Sequence, residues 1–440
     1  MEFNGLVRRN LFWIHDKIYN HSFVKSQYDE IMYALKETDD LSDMWNKQKE
    51  ELLAHAVKTT KFYAKYNEKK FQEFPVINKK ICSEHYEDFV SENYRMQKLH
   101  RMSTNGSSGT PFTILQDVRK RSRVIAELKA FMAIRGLLPN QRMIYLEAMS
   151  TRNEGIPSYK QWKENIWRID ISNLGRVNVE EVIAFMEKHP SKLVLGYPST
   201  MEWLANYSEN DNRVKNLGIK TVIAAGETLH SETRRKAKAT FGEQCDILSR
   251  YSNQEMGILG QEKAECGAYL LNHSSYYFEC LKLDEDKPVK EGEIGRIVIT
   301  DLYNYAFPLI RYDTEDTGVM CMDQNVSIYP VLKTVYGKKR DILFDCNKEL
   351  VTPDVIDKVF YGKVNIKQWK LIQEDYSKIK LIVCCNENGK DDIADICSGF
   401  KRIFGASIEI VVDYVERIPD DKAGKFRYIV CNIPEVKLPR

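Results

Sequence analysis

The sequence predicts an α/β protein with a large N-terminal domain and a small α+β C-terminal domain. The large domain is expected to combine helix-covered, mostly parallel sheets with a small β subdomain. Three observations predict this fold class. β-rich apolar runs alternate with helical segments from about residue 140, the helical signal vanishes between about 267 and 336, and mixed patterns fill roughly the last 100 residues. Alternating strands and helices favour a parallel sheet covered on both faces. The 440 residues suffice for such an arrangement.

Residues 1 to about 95 are predicted to form a charged helical lead-in to the large domain. Ile31-Met32 with Leu35, and Leu52-Leu53 with Ala56-Val57, repeat at the helical period. No catalytic pattern is visible in this region.

Four apolar runs, at 143–146, 193–195, 221–224 and 245–248, are the expected strands of the parallel sheet. In such sheets ligands bind beyond the carboxyl ends of the strands. The residues that follow these runs mix small residues with carboxylates, hydroxyls and aromatic rings, which suits a binding site. They are 147–150, 196–199, 225–227 and 251–255.

The second half of the chain predicts the remaining elements. Runs such as 296–300 indicate antiparallel strands, and the polar, glycine-led stretch 336–341 indicates a linker. Beyond the linker the patterns predict two helices and several strands, which are enough for a small α+β domain. The helices are expected at 352–361 and 391–404, and the strands at 369–372, 380–384, 408–412 and 428–430. The expected domains are therefore 1–336 and 342–440, joined by a linker at 337–341.

Composition excludes several classes of protein. The net charge of +2 and the pI of about 7.9 are too balanced for a nucleic-acid or membrane-surface protein. No run approaches the roughly 18 apolar residues of a membrane span, and the N-terminus lacks the apolar core of a signal peptide. The ten cysteines are scattered along the chain, which indicates a reducing cytoplasm.

Residues 103–111 read STNGSSGTP, a stretch rich in hydroxyls in which only the last residue lacks a backbone N–H. Such a loop can surround polyphosphate oxygens with N–H and O–H donors. The alternative is a flexible surface turn. The stretch is not a Walker loop, because it does not fit GxxxxGK[ST].

Two further stretches carry charged residues that suit nucleotide chemistry. An aspartate within 311–316 (RYDTED) can accept both hydroxyls of a ribose, although a solvated acidic turn is the alternative. Within 419–427 (PDDKAGKFR), Lys425 follows a glycine and can reach a phosphate as a mobile point charge. Most lysines in turns are simply solvated, so this motif is weak by itself.

Taken together and in this order, the stretches resemble the adenylate-forming superfamily, which includes acyl-CoA synthetases, luciferases and the adenylation domains of peptide synthetases. The chain is most similar to the phenylacetate-CoA ligase branch, particularly its CapK-like members from capsular polysaccharide gene clusters. The resemblance covers about residue 80 to the C-terminus. The motifs that carry it are the hydroxyl-rich loop, Gly226-Glu227, Tyr251 with Glu255, Arg311 to Asp316, the Gly337 linker and Gly424-Lys425.

The resemblance implies a role for each matching residue. Lys425 would be the catalytic lysine of a swinging C-terminal domain, and Glu255 would bind Mg²⁺. The adenine and ribose would be bound by Ala225, Gly226, Glu227, Tyr251, Asp316 and Arg311. The ATP phosphates would be bound by Ser103, Thr104, Asn105, Gly106, Ser107, Ser108, Gly109 and Thr110. The family's hinge would include Lys338, Arg340 and Asp341.

The implied reaction is ATP-dependent activation of a carboxylic acid as an acyl-adenylate, with release of pyrophosphate. The acyl group would then pass to a thiol, with CoA as the default acceptor, or to an amine. Tyr145, Ser150, Gly196, Tyr197 and Pro198, at the predicted strand ends, are the expected acyl pocket. Two alternatives stay open: an adenylyltransferase whose final product is the acyl-AMP, and a nucleotide-binding homologue with impaired catalysis.

This sequence departs from the family's patterns at several positions. Phe112 follows Pro111 and the phosphate loop lacks the lysine of many relatives, while Lys338 and Arg340 replace an arginine and an aspartate of the usual hinge. Some relatives carry a Cys/His zinc site, of which Cys266 with His273 would be a remnant. A closed structural site needs four ligands and the later cysteine pair is missing, so no zinc is expected.

Overall fold

The computed structural model describes residues 2–103, 112–147, 158–171, 179–207, 211–263, 265, 267–338, 342–363, 365–387, 389–419 and 426–433. The chain divides into two compact units. Unit 1 comprises residues 1–141 and 250–334, and unit 2 comprises residues 142–249 and 335–440. Strands β7 (Asp246–Asn253) and β13 (Val331–Lys338) each cross a border between these ranges.

Unit 1 begins with the predicted helical region. Its helices are α1 (Glu2–Tyr19), α2 (Phe23–Lys36), α3 (Ser42–Thr59), α4 (Lys79–Glu84), α5 (Tyr86–Phe89) and α6 (Val118–Ala133). The apolar spacing that predicted α2 and α3 buries Ile31, Leu52 and Ala56 completely. Helix α6 begins at Asp117, whose carboxylate accepts a hydrogen bond of 2.8 Å from the N–H of Lys120. Such a cap satisfies one of the free donors at a helix start.

The strands of unit 1 are antiparallel wherever their pairing is described, as the sequence predicts for the region after 267. They are β1 (His100–Ser103), β2 (Thr113–Gln116), β8 (Gly257–Glu262), β9 (Tyr269–Leu271), β10 (Tyr276–Leu281), β11 (Ile294–Asp301) and β12 (Tyr312–Cys321). The sheet order is β10-β11-β12-β13-β9-β8-β7. Residues 250–253 of β7 pair antiparallel with β8, although the sequence placed this strand with the parallel set. Only residues 254–256 connect β7 to β8. This connection is too short for parallel pairing, because parallel neighbouring strands need a long crossover.

Unit 2 contains the predicted parallel sheet, in the order β6-β5-β3-β4. The strands are β3 (Met143–Glu147), β4 (Ile166–Asp170), β5 (Leu193–Gly196) and β6 (Thr221–Ala225). Strand β5 is buried at every position, as expected for a strand covered on both faces. The covering helices are α7 (Ser158–Glu164), α8 (Val179–Lys188), α9 (Pro198–Tyr207), α10 (Arg213–Asn216) and α11 (Ser231–Phe241).

The rest of unit 2 is a C-terminal segment built as the sequence predicts. Its four-stranded sheet has the order β18-β17-β16-β19. The strands are β16 (Ile366–Asp375), β17 (Lys378–Cys385), β18 (Glu409–Tyr414) and β19 (Ile429–Cys431), with a small hairpin of β14 (Leu343–Phe344) and β15 (Leu350–Val351). Its helices are α12 (Pro353–Phe360) and α13 (Gly389–Phe404). Ile396, Phe400 and Phe404 recur at the helical period on α13 and are completely buried.

None of the helices that the structure describes combines the length and the apolar character needed to cross a membrane.

Candidate functional site

The ends of the hydroxyl-rich loop are held together in unit 1. Strands β1 and β2 form a hairpin in which Ser103 pairs with Thr113, and their side-chain oxygens lie 2.8 Å apart. This pairing fixes the point at which the loop leaves the hairpin. The predicted phosphate-binding residues Thr104 to Thr110 lie outside the described residues.

Tyr251 and Asp316, assigned to adenine and ribose by resemblance, are neighbours in unit 1. The Tyr251 hydroxyl donates to Asp316 Oδ2 at 3.0 Å and contacts Thr314 Oγ1 at 3.2 Å. Burial of the ring, followed by the charge of Asp316, raises the pKa of Tyr251 well above its usual value. The phenol therefore stays protonated and holds the carboxylate in one orientation.

Glu255, the predicted Mg²⁺ ligand, is 3% exposed and lies among polar groups from distant parts of unit 1. Its Oε1 is 3.0 Å from the Lys79 ammonium and accepts a hydrogen bond of 3.2 Å from the Tyr312 hydroxyl. The side-chain amide of Gln116 donates to the Glu255 carbonyl at 3.1 Å. Sequence reasoning missed Lys79, because a lysine at the start of a short helix carries no motif.

Arg311 is buried in unit 1 and its guanidinium already has several acceptors. It forms an ion pair with Glu279 at 3.0 Å and donates to the backbone carbonyls of Gln72 and Phe74. Its backbone is left-handed, with a φ of 51°. These contacts connect the residue before β12 to Gln72 and Phe74, and the nucleotide-binding role of Arg311 stays a prediction.

In unit 2, the residues after β5 and β6 meet at one edge of the parallel sheet, as predicted. Gly196 pairs with Ala224 at the strand ends. Beyond them, both Glu227 oxygens accept hydrogen bonds of 3.0 Å from Ser199, one from its N–H and one from its hydroxyl. Gly226, with a φ of 86°, makes the turn between Ala225 and Glu227 in a conformation that favours glycine.

Four of the predicted acyl-pocket residues lie in this sheet or directly after β5. Tyr145 is in β3, where it pairs with Leu195, Gly196 ends β5, Tyr197 connects β5 to α9, and Pro198 is the first residue of α9. Gly196 is tightly packed: a Cβ there would lie 2.8 Å from the Met201 methyl group. Ser150 is outside the described residues.

The C-terminal segment packs on this part of unit 2 through Glu227. The Phe426 N–H donates to Glu227 Oε1 at 2.8 Å, and Phe426 is 3% exposed. Lys425, the predicted catalytic lysine, lies outside the described residues, but Phe426 is the next residue in the chain. Contact between Glu227 and the C-terminal segment was not predicted, because the two are separated by almost half of the chain.

A buried ion pair joins the same two parts of unit 2. Lys236 Nζ lies 2.9 Å from Glu202 Oε1 and donates to the Ile366 carbonyl at 3.1 Å. The Tyr428 hydroxyl donates to Glu202 at 2.5 Å. Burial, followed by the charge of Glu202, raises the pKa of Tyr428 well above its usual value, so the hydroxyl remains a donor.

A second carboxylate, Asp357 of α12, binds the start of α11. Its Oδ2 accepts the Ser231 N–H at 2.8 Å and the Ser231 hydroxyl at 2.7 Å, and its Oδ1 lies 3.3 Å from His230 Nδ1. Burial opposes ionisation of Asp357, yet the contacts with His230 and Ser231 leave its pKa below the usual value. The ionised carboxylate is therefore the form that holds the two helices together.

The predicted hinge and zinc residues are only partly described. Lys338 ends β13, and Arg340 and Asp341 lie outside the described residues, as does Cys266. His273 donates from Nε2 to the Pro330 carbonyl at 2.8 Å, and burial lowers its pKa to about 4. In the ranges that the structure describes, no three or more His, Cys, Asp or Glu side chains form a cluster suited to a metal.

Comparisons with known proteins give three findings. Residues 343–432 match the CapK C-terminal domain. The chain is 23% identical to Protein CapK of Staphylococcus aureus over 93% of both chains, and 32% identical to indoleacetate–lysine synthetase of Pseudomonas savastanoi over 30% of both. Its fold is similar to that of 2-hydroxyisobutyryl-CoA ligase, solved in the postadenylation state with 2-HIB-AMP. That comparison has a TM-score of 0.68 and 14% identity, and covers 92% of this chain and 89% of the ligase.

The fold similarity extends over nearly the whole chain. The sequence similarity to Protein CapK and the match to the CapK C-terminal domain both indicate CapK-like proteins. Residues 343–432 thus match the CapK C-terminal domain, and the whole chain is similar in sequence to Protein CapK and in fold to an acyl-CoA ligase, in agreement with the resemblance that its motifs indicated.

Proposed function

We propose that this protein uses ATP to convert a carboxylic acid into an acyl-adenylate, releases pyrophosphate, and passes the acyl group to an amine or a thiol. One observation carries the proposal. Tyr251 and Asp316, assigned to adenine and ribose by sequence, lie 3.0 Å apart in a fold shared with a ligase that was solved with an acyl-adenylate.

The first step needs two anions held within reach of each other and a good leaving group. A carboxylate oxygen attacks the α-phosphorus of ATP, and the bond to pyrophosphate breaks. Asp316, oriented by Tyr251, would accept the ribose hydroxyls, and Ser103 to Thr110 would donate to the phosphates. Lys425 would neutralise the charge that develops on the phosphate during attack.

Glu255 fits the role of a Mg²⁺ ligand by its donor chemistry. Mg²⁺ is commonly bound by one or two carboxylates together with substrate phosphates, and Glu255 is a buried carboxylate. The metal would supply charge neutralisation on the phosphates. Lys79, 3.0 Å from the same carboxylate, already brings one positive charge there, in a protein whose phosphate loop lacks a lysine.

The second step would follow rotation of residues 342–440 about a hinge at 337–341, which would withdraw Lys425 from the nucleotide. The resemblance to indoleacetate–lysine synthetase, an acid–amine ligase by its name, supports an amine acceptor. The shared fold with a CoA ligase supports CoA. We place the reaction in the cytoplasm, where scattered cysteines remain reduced.

The experiment that tests this proposal measures ATP-dependent pyrophosphate release with a panel of carboxylic acids that includes indoleacetate and 2-hydroxyisobutyrate. Hydroxylamine traps an activated acid as its hydroxamate, and parallel reactions with lysine or CoA identify the acceptor. A ligase gives hydroxamate and free AMP. AMP that stays attached to the acid would identify an adenylyltransferase, and ATP binding without pyrophosphate release would identify an impaired homologue.

A further inference from the structure

Glu255 is fixed in place by the backbone around it. It lies in the connection 254–256 between β7 and β8, where the Asn253 side chain accepts a hydrogen bond of 2.8 Å from the Met256 N–H. The side-chain amide of Gln116 donates to the Glu255 carbonyl at 3.1 Å. Because the residue is also buried, its carboxylate has little freedom to turn toward solvent.

Lys79 has a fixed backbone but a side chain that reaches solvent. Two residues earlier, Ile77 accepts a hydrogen bond of 2.7 Å from the Asp313 N–H and donates one of 3.0 Å to the Arg311 carbonyl. These bonds place the start of α4 beside the start of β12. The Lys79 side chain is 32% exposed. A flexible lysine stem of this kind can withdraw its ammonium from the carboxylate without disrupting the helix.

Both side-chain contacts described for the Glu255 carboxylate are made to Oε1. They come from the Lys79 ammonium at 3.0 Å and from the Tyr312 hydroxyl at 3.2 Å. Burial, followed by the charge of Glu255, raises the pKa of Tyr312 well above its usual value, so the phenol is a neutral donor. Among the contacts that the structure describes, the ammonium is therefore the positive charge that offsets this buried carboxylate.

A metal ion at Glu255 would share the carboxylate with this ammonium. The two oxygens belong to one small group, so a metal bound by either of them would lie close to the Lys79 ammonium. A divalent cation and an ammonium repel each other, and the repulsion is stronger at a buried site than in bulk water. Because the carboxylate is fixed and the lysine can move, the metal and the ammonium compete for one partner.

We propose that Lys79 limits metal binding at Glu255: its ammonium competes with Mg²⁺ for the carboxylate, so that Mg²⁺ alone binds weakly and the metal enters together with nucleotide phosphates. The phosphates offset the positive charge of the ammonium, which Mg²⁺ alone cannot do. The inference rests on the proposed function, which assigns ATP to this protein and Mg²⁺ to Glu255. Lys79 thereby sets the affinity for the metal and is not assigned to the reacting atoms.

The test measures binding of Mn²⁺ alone and of Mg²⁺ alone to the full chain without nucleotide. Mn²⁺ takes the same carboxylate ligands, and electron paramagnetic resonance follows the free ion, while calorimetry follows Mg²⁺. Lys79→Met and Lys79→Gln both remove the positive charge, and the glutamine keeps a hydrogen-bond donor for the carboxylate. Lys80→Met is the matched control, because the neighbouring side chain is 81% exposed.

We expect both ions to bind at least about tenfold more tightly to the two Lys79 variants than to the parent, because the charge count of a site tunes its affinity. Lys80→Met should stay within about twofold of the parent, since solvent screens an exposed charge. Adding Glu255→Gln to Lys79→Met should remove the gain. Equal affinities in the parent and the Lys79 variants would overturn the proposal. A gain that persists without the Glu255 carboxylate would overturn it too, because the metal would then bind elsewhere.

Thermal denaturation provides a second readout that does not depend on activity. A ligand that binds the folded state raises the midpoint of unfolding. Mg²⁺ alone should therefore raise the midpoint of Lys79→Gln by more than it raises that of the parent or of Lys80→Met. Equal increases in all three proteins would contradict competition between the ammonium and the metal.

ATP distinguishes failure of this inference from failure of the proposed function. With ATP present, the advantage of Lys79→Met over the parent in metal affinity should disappear, because the phosphates offset the ammonium. An advantage of about tenfold that persisted with ATP would contradict entry of the metal with the phosphates. If the parent binds no ATP, the proposed function fails, whereas the measurements with metal alone still decide whether Lys79 competes at Glu255.

Discussion

Two carboxylates, Glu255 of unit 1 and Glu227 of unit 2, illustrate two ways of building a site. Glu255 is surrounded by side chains from α4 and β12, and the nearby Tyr251 and Asp316 come from neighbouring parts of the same unit. Glu227 accepts hydrogen bonds from the backbone N–H groups of Ser199 and Phe426. Side chains of unit 1 therefore surround Glu255, whereas backbone N–H groups at the start of α9 and in the C-terminal segment contact Glu227. This difference predicts that mutations in the two regions separate ATP binding from the rate of chemistry.

The largest expected effect on the rate of adenylation comes from a mutation of Lys425. Lys425→Ala should lower acid-dependent pyrophosphate release by about 10²- to 10³-fold, because one electrostatic contact to the transition state is lost. ATP affinity, measured by calorimetry, should be retained. Lys422→Ala, three positions earlier in the sequence, is the control and should stay near the parent rate. Equal losses in both variants would argue against a specific role for Lys425.

Acid should weaken unit 1 through His273. Its pKa is about 4 in the folded protein but near 6.5 when unfolded, so below pH 6.5 the unfolded chain binds a proton that the folded chain does not. Stability should fall between about pH 6.5 and 4, by on the order of 3 kcal/mol, as chemical denaturation would measure. His273→Phe should flatten this dependence, and His85→Gln, at an exposed position, should not.

Asp357 of unit 2 provides a comparison with His273, because its pKa shift affects stability in a lower pH range. Asp357 has a lowered pKa, so the stability it contributes is complete above about pH 4 and is lost below that. A pH profile of Asp357→Asn should therefore match the parent profile in shape between pH 6.5 and 4. If the stability profile of Asp357→Asn differed in shape from the parent profile between pH 6.5 and 4, the loss of stability in that range could not be assigned to His273.

Lys79→Ala tests whether the ion pair between Lys79 and Glu255 stabilises the folded protein. Among the described residues, removing the ammonium leaves the buried carboxylate with the Tyr312 hydroxyl as its side-chain partner, so the free energy of unfolding should fall by about 1–3 kcal/mol. Lys80→Ala is the control, since that side chain is 81% exposed. A loss of stability in Lys80→Ala as large as in Lys79→Ala would show that the Lys79–Glu255 ion pair has no specific role in stability.

The smallest expected effect is on the orientation of Asp316. Tyr251→Phe removes the hydroxyl that holds the carboxylate, which should weaken ATP binding about fivefold, or about 1 kcal/mol. Tyr159→Phe, at an exposed position, should leave calorimetric affinity unchanged. Unchanged affinity in Tyr251→Phe would mean that the hydroxyl does not orient a nucleotide ligand.

The parts that sequence predicted are those in which local pattern decides structure. The continuous apolar runs of β3, β5 and β6 predicted buried parallel strands, and the period of α13 predicted its buried face. The antiparallel pairing of β7 with β8 depends on a short turn, which the apolar run alone did not reveal.

Long-range partners could not be predicted from one sequence. Lys79 meets Glu255, and Glu227 meets Phe426 over 199 positions, through folding of the whole unit. The polar residues were found by motif, but their partners were not, because a hydrogen bond between distant segments leaves no periodic signal. Arg311 is a further example: the motif identified the residue, but its contacts with Glu279 and two backbone carbonyls could not be predicted from the sequence.

The central claim is that a carboxylate oxygen attacks the α-phosphorus of ATP. Supplying the best acid of the panel with heavy oxygen in its carboxylate, and measuring the mass of the released nucleotide, follows that oxygen directly. Transfer to the acceptor should leave AMP with one heavy oxygen atom, because the bond between carboxyl carbon and oxygen breaks in the second step. Unlabelled AMP, or ADP with labelled phosphate, would contradict the account.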